Sequence, residues 1–219
     1  MDLVDVWPLF RLTLRTPRLE LRVLRDGDLP GLVEAARAGI HGPARMPFSQ
    51  PWTDLPDDEL TAGLVQHQWR QRAALTPASW SLNLVVRRDG VPIGVQDLVG
   101  RDFVALRTVE TGSWLTTSAQ GQGLGTEMRA AALSFAFDHL GAEVATSSAA
   151  EWNAASLGVS RRLGYVDNGV SRVAPRGEAE LDRHLRLVRD AFVRPLWTPH
   201  VDGASEARRA LGLDEATRP

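Results

Sequence analysis

The chain has 219 residues, 43% hydrophobic and 24% charged, with a formal net charge of −2, which fits one generous globular domain. It has no cysteine, and its five histidines lie far apart with no HExxH or His-x-His pair, so disulfides and thiolate nucleophiles are excluded and no metal is expected. No apolar run approaches the ~20 residues of a membrane span, the opening MDLVDVWPLF lacks the pattern of a secretion signal, and the 25 basic residues, all arginine, form no stripe; neither membrane nor nucleic acid is an expected partner, and a reducing cytoplasm is the expected setting.

Arg18 to Leu24 alternates polar and apolar residues, as a half-buried strand does. Asp28 and Pro30 open a helix through Leu32, Ala35 and Ala36. The proline-rich stretch from His41 to Thr53 reads as a loop, and a helix is expected from Asp57 to about Ala74. Ser81–Arg87 and Pro92–Val99 flank the Asp89-Gly90 turn and form a hairpin. A strand from Thr108 to Thr117 leads through a glycine-rich loop into a helix ending near Leu140. Val144–Ser147, Ala154–Leu163, Tyr165–Val173 and His184–Val188 then read as strand, helix, strand and strand. This order implies one mixed α/β sheet rather than repeats. The expected boundaries are a domain over residues 1–194 and an extension over 195–219, rich in Pro, Gly and small polar residues, that serves as an appendage or an oligomer contact.

Glycines at 121, 123 and 125 stand between a strand and a helix start. Such a loop turns its free N–H groups to the positive end of the helix dipole and makes an anion site suited to phosphate or pyrophosphate. A P-loop needs a lysine that the chain lacks, and a dinucleotide fold needs GxGxxG where this chain has GxGxG. A plain helix-start turn would use glycines in the same way.

Several segments carry a resemblance. Gln120-x-x-Gly123-x-Gly125 resembles the coenzyme A pyrophosphate loop of the Gcn5-related N-acetyltransferases. Glu110-Thr111-Gly112-Ser113-Trp114-Leu115 resembles the strand E-x-G-x-x-L of the subgroup that acts on ribosomal-protein N-termini. Asn153-Ala154-Ala155-Ser156, followed by Leu163-Gly164-Tyr165, is similar to that subgroup's N-x-x-S and LG[F/Y], and Thr16–Arg22 to its first strand. RMPFSQPWT and GTEMRAA are similar to an actinobacterial branch in which succinyl-CoA is a donor. The resemblance covers about Thr16 to Arg194.

The resemblance implies a mostly antiparallel twisted sheet, splayed between its fourth and fifth strands, with helices on both faces. It implies acyl transfer from acetyl-CoA or succinyl-CoA to a primary amine, by direct attack of the amine. Leu115 and Thr117 would hydrogen-bond the pantetheine arm, and Gln120, Gly121, Gln122, Gly123, Leu124, Gly125 and Thr126 would form the pyrophosphate loop. Asn153 and Ser156 would face the arm from the other side. Many members place a tyrosine acid where this chain has Ser160 and a glutamate where it has Ser148. Ser156 is therefore the expected donor to the thiolate and Glu110 the expected base, with Asp97 and Asp102 in reserve. Glu110 reads equally as a solvated strand-start carboxylate.

Phe48, Trp52 and Trp114 either line the acceptor pocket or pin a loop to the core. Arg161 and Arg162 read as a solvated helix face rather than partners of the 3′-phosphate. Arg45, Arg101 and Arg107 are available to a succinyl carboxylate. The acceptor stays open among a protein N-terminus, a lysine, an aminoglycoside and a small amine, and a homo-oligomer is expected. Two rivals are a coenzyme A-binding sensor without catalysis and an oligomeric scaffold built on the tail.

Overall fold

Leu21 and Val23 are buried while Glu20 and Arg22 are half-buried, the pattern of a strand packed on one face. In the computed structural model, which describes residues 1–213, that segment is strand β2 (Glu20–Val23), preceded by β1 (Thr13–Arg15) and the short helix α1 (Leu3–Val6). Helices α2 (Leu29–Arg37) and α3 (Asp57–Ala73) follow, then β3 (Ser79–Arg88), β4 (Val91–Arg101), the turn-length helix α4 (Phe103–Leu106) and β5 (Thr108–Leu115). The second half comprises α5 (Leu124–Phe135), β6 (Val144–Ala150), α6 (Ala154–Arg162), β7 (Val166–Val173), β8 (Glu180–Val188), β9 (His200–Asp202) and α7 (Ala204–Ala210). The expected strand–helix order holds; β1, β9, α1, α4 and α7 are additions to it.

Among the described residues, all nine strands join one sheet in the order β7-β8-β6-β5-β4-β3-β2-β1-β9. Every neighbouring pair is antiparallel except β5 and β6, which run parallel. The β3–β4 hairpin closes on Asp89 and Gly90 at φ 50° and 81°, the left-handed pair that a tight hairpin turn requires. On one face, Met128, Leu133 and Phe135 of α5, Leu157 of α6 and Ala207 of α7 share a core with Leu82, Leu84, Leu98 and Val109. On the other, Leu32, Val33 and Ala36 of α2 and Leu60 and Leu64 of α3 cover Val85 and Val95. The sheet is thus sandwiched between two helical layers, as expected.

The expected boundary at residue 194 marks no second unit among the described residues. β9 pairs with β1 through Thr13↔Asp202, Leu14↔Val201 and Arg15↔His200. Ala207 and Leu211 are 0% exposed in the main core, and residues 214–219 of the expected extension lie outside the described residues. The segment reads as polar because only a few of its positions face inward, too few to show a period. Leu211→Ala should therefore cost about 2–5 kcal/mol, the usual range for truncating a buried leucine, and lower the melting temperature measurably. A native melting curve would show the helix to be dispensable.

Candidate active site

β5 and β6 pair only from Thr108↔Val144 to Thr111↔Ser147. Beyond that rung β5 stays with β4 as far as Gly94↔Leu115, and β6 stays with β8 as far as Ala150↔Asp182. The two strands therefore part after Thr111 and leave a gap between residues 112–115 and 148–150. Gly94 is a glycine for this reason: a Cβ there would lie 2.1 Å from the Trp114 carbonyl, so only a bare backbone lets β4 follow β5 to its end. Ser113 and Leu115 continue the alternation of Val109 and Thr111, so their backbone groups turn away from β4 toward the gap.

The glycine loop closes one end of the gap. Gly121 and Gly123 sit at φ 71° and 79°, and Gly123 is the N-cap of α5. The first amide of the helix to find a carbonyl is that of Glu127, 3.1 Å from the Gly123 oxygen. Among the described residues, no amide from Gly121 to Thr126 donates a hydrogen bond, and the buried Thr126 Oγ1 has no partner. Six free N–H groups at the positive end of a helix form an anion cradle. Its shape is held from outside. Arg18 Nη1 donates to the Gln122 carbonyl at 2.9 Å, and its Nε donates at 2.7 Å to the buried Glu127, which also accepts from Thr16 Oγ1 at 2.6 Å. The Thr16–Arg18 segment is thus the loop's brace.

The remaining expected residues fall into place unevenly. Gln120 points away from the cradle: its side-chain amide donates to the Ile40 and Leu115 carbonyls at 2.7 and 2.8 Å, stapling the end of β5 to the chain after α2. Thr117 gives its N–H to Gly39 at 2.9 Å and its carbonyl to Gln120 at 3.1 Å, so it has no unbonded backbone N–H for a ligand. By strand alternation it is the backbone of Ser113 that faces the gap. Asn153 caps α6 by accepting the Ser156 N–H at 3.1 Å. Ser156 is part-exposed beside it, its hydroxyl without a partner among the described residues.

On the α2–α3 face, Asp97 of β4 stands directly across from Gly112, where the β5–β6 ladder has just ended. Asn83 Nδ2 donates to it at 2.7 Å. Burial raises its carboxyl to about 7, and the Asn83 bond offsets only part of that rise. Glu110 lies on the same face two residues earlier on β5, but it is 51% exposed and paired with Arg101 at 2.8 Å. Asp102 caps α4 at the far end of β4. An aromatic wall flanks the Asp97 side, with Phe48 and Trp52 centroids 5.4 Å apart and Trp52 and Trp114 6.0 Å apart. All three rings pack on the α2–α3 core, and Trp114 stands among the β5 residues beside the gap. A groove of about 380 Å³ opens nearby, lined by Ala44, Arg45, Glu151, Trp152, Glu180 and Leu181. Tyr165 lies on the opposite face, its hydroxyl 3.1 Å from Thr111 Oγ1, and burial pushes its phenol up.

A splayed parallel pair with an amide cradle at its mouth is the arrangement expected for a coenzyme A thioester, and the family comparison agrees. The acetyltransferase (GNAT) domain matches residues 18–166. The chain belongs to the GNAT acetyltransferases. Transfer of an acyl group from coenzyme A is the reaction class that membership brings. Solved GNAT structures share the fold. RimJ of Mycobacterium smegmatis, in complex with CoA-disulfide, superposes with a TM-score of 0.67 at 17% identity, over 90% of this chain and 92% of that one. A RimL α-N-protein acetyltransferase bound to coenzyme A gives 0.64 at 16% identity, over 80% and 97%. The Vibrio cholerae spermidine N-acetyltransferase, with coenzyme A and spermine, gives 0.60 at 19%, over 82% and 100%. The family match spans the glycine loop, the gap and Asn153 alike. Among the described residues of this GNAT chain no helix is long and apolar enough to cross a membrane.

Proposed function

We propose that the chain is an N-acetyltransferase that moves an acetyl group from acetyl-CoA to a primary amine, with Asp97 rather than Glu110 as the base. The observation that carries this reading is the coincidence at Gly112. The ladder between β5 and β6 has ended one residue earlier, and a half-buried carboxyl faces the opening from β4. When bound, the thioester supplies an activated carbonyl. The amides of Gly121–Thr126 hold its pyrophosphate, Ser113 and Leu115 offer backbone groups to its arm, and Asn153 and Ser156 border it from α6. Amines arrive as ammonium ions, so a group with a pKa of about 7 suits the removal of the proton. The faces of Trp52 and Trp114 suit the approach of a cation.

Acetyl is favoured over succinyl because the three arginines considered for a succinyl carboxylate are otherwise placed. Arg101 pairs with Glu110 and Arg107 stacks on Phe103. Arg45 stacks on Trp152 in a groove that also presents Glu151 and Glu180. Transfer assays with acetyl- and succinyl-CoA, each against an N-terminal peptide, a lysine peptide and spermidine, test the reading. Acetyl transfer to at least one amine is expected, with roughly tenfold or greater preference over succinyl from the missing ion pair. Equal or faster succinyl transfer would reassign the donor. Coenzyme A binding without transfer to any amine would leave a sensor module.

A further inference from the structure

Arg129 stands apart from the other buried charges. It lies on α5 and is 4% exposed, yet among the described residues it makes no ion pair. Its Nη1 donates to Ser160 Oγ of α6 at 2.9 Å and its Nη2 to Ser113 Oγ of β5 at 2.9 Å. Its Nε is buried without a partner. A cation taken out of water into this environment costs several kcal/mol unless an anion meets it. Two serine hydroxyls do not supply one. The ionisable side chain that acts on it is Tyr165, whose phenol is itself driven toward the neutral form by burial. By contrast the buried Glu127, two residues earlier on α5, is fully matched by Arg18. The chain therefore holds an unmatched cation under β5, beside the first residue to face the gap after its last rung.

Resting on the acetyltransferase reading above, we propose that Arg129 is a catalytic group that stabilises the departing sulfur of coenzyme A as a thiolate. The permanent negative charge of the coenzyme is met at the α5 terminus by the glycine-loop amides. Arg129 lies one turn deeper, at Ser113, where the anion that forms there is one the reaction itself creates. The amine nitrogen, neutral once its ammonium proton has passed through Asp97 to solvent, bonds to the thioester carbon, the carbon–sulfur bond breaks, and its electron pair stays on sulfur. The nitrogen's proton leaves to Asp97, and the guanidinium faces the new thiolate. Ser113 and Ser160 hold the guanidinium fork in place until then, which is a preorganised charge rather than one recruited during the step.

The experiment reads the thiol of bound coenzyme A by its thiolate absorbance in the ultraviolet across a pH series, with no acyl group or acceptor present. In the native complex the thiol is expected to titrate about one unit or more below its value free in solution, because a nearby cation favours the charged form. In Arg129→Met that shift should disappear while the coenzyme's affinity changes less than about threefold. Arg129→Lys should keep part of it, and Tyr165→Phe all of it. Turnover in Arg129→Met should fall by about a hundredfold to a thousandfold at nearly constant KM, the size seen when one transition-state donor is lost. A native complex whose thiol titrates as in solution overturns the proposal even if the methionine variant does not fold, and so does a shift that survives in Arg129→Met. Absence of coenzyme A binding would instead sink the acetyltransferase reading.

Discussion

Replacing Gly123 with aspartate is expected to abolish coenzyme A binding while leaving the free protein folded. Two effects act together. At φ 79° a residue with a Cβ is strained, at a cost of about 1 kcal/mol or more. The larger effect is electrostatic. The new carboxylate would stand among the free amides of residues 121–126 with Arg18 close by, since a Cβ at this position lies 3.5 Å from Arg18 Nη2. It would satisfy the cradle from within and repel a pyrophosphate from it. For the native chain, acetyl-CoA at a hundred times its dissociation constant adds about 2.7 kcal/mol of stability by mass action, which a thermal-shift assay resolves. No shift is expected for Gly123→Asp at the same concentration. Gly123→Ala separates the effects, because it carries the strain without the charge and should bind with affinity reduced about tenfold or less. A shift that persists in the aspartate variant would place the phosphates elsewhere.

That loop was legible in the sequence because its chemistry is local. Alternate glycines before a helix need no tertiary partner to be read, and Gly121 and Gly123 do adopt the left-handed backbone that favours glycine. The same holds for the Asp89-Gly90 hairpin. Residues whose role depends on what covers them were not legible. Glu110 and Asp97 fall on one face by strand alternation, but the Arg101 ion pair and the burial of Asp97 across from Gly112 appear only once β4, β5 and α2 are packed. The sequence predicts strand as far as Thr117, two residues beyond the end of β5. The chain instead leaves β5 at Leu115 and turns, so the alternation that matters runs back to Ser113. Arg129 sat unnoticed in GTEMRAA because arginine on a helix is ordinarily solvated, and burial is a property of the fold around it. β1 and β9 span three residues each, too short for any period to show.

Asparagine at position 97 should lower turnover by about a hundredfold to ten-thousandfold, the range for loss of a positioned base, with acetyl-CoA affinity unchanged. The pH dependence makes the assignment specific. In the native enzyme the Asp97 carboxyl must lose its proton before it can take one from the amine, so kcat/KM should rise with pH and level off above about 7. In Asp97→Asn that inflection should be absent. Glu110→Gln should retain the inflection and most of the turnover, because its carboxylate is exposed and already held by Arg101. Stability gives a second, independent reading of the same group. Burial lifts the folded carboxyl from 3.8 to about 7, so between those values the native state holds a proton that the unfolded chain has released. Stability linked to Asp97 must therefore fall as pH rises through that window and stay low above it. Asp97→Asn removes this dependence. The variant should gain melting temperature over the native chain above pH 7, and the gain should shrink toward pH 4. A variant that loses activity but shows no such pH-dependent gain would mean that Asp97 is ionised in the resting protein. An Asp97→Asn enzyme with native turnover, beside an inactive Glu110→Gln, would return the base to β5, one rung before the strands part.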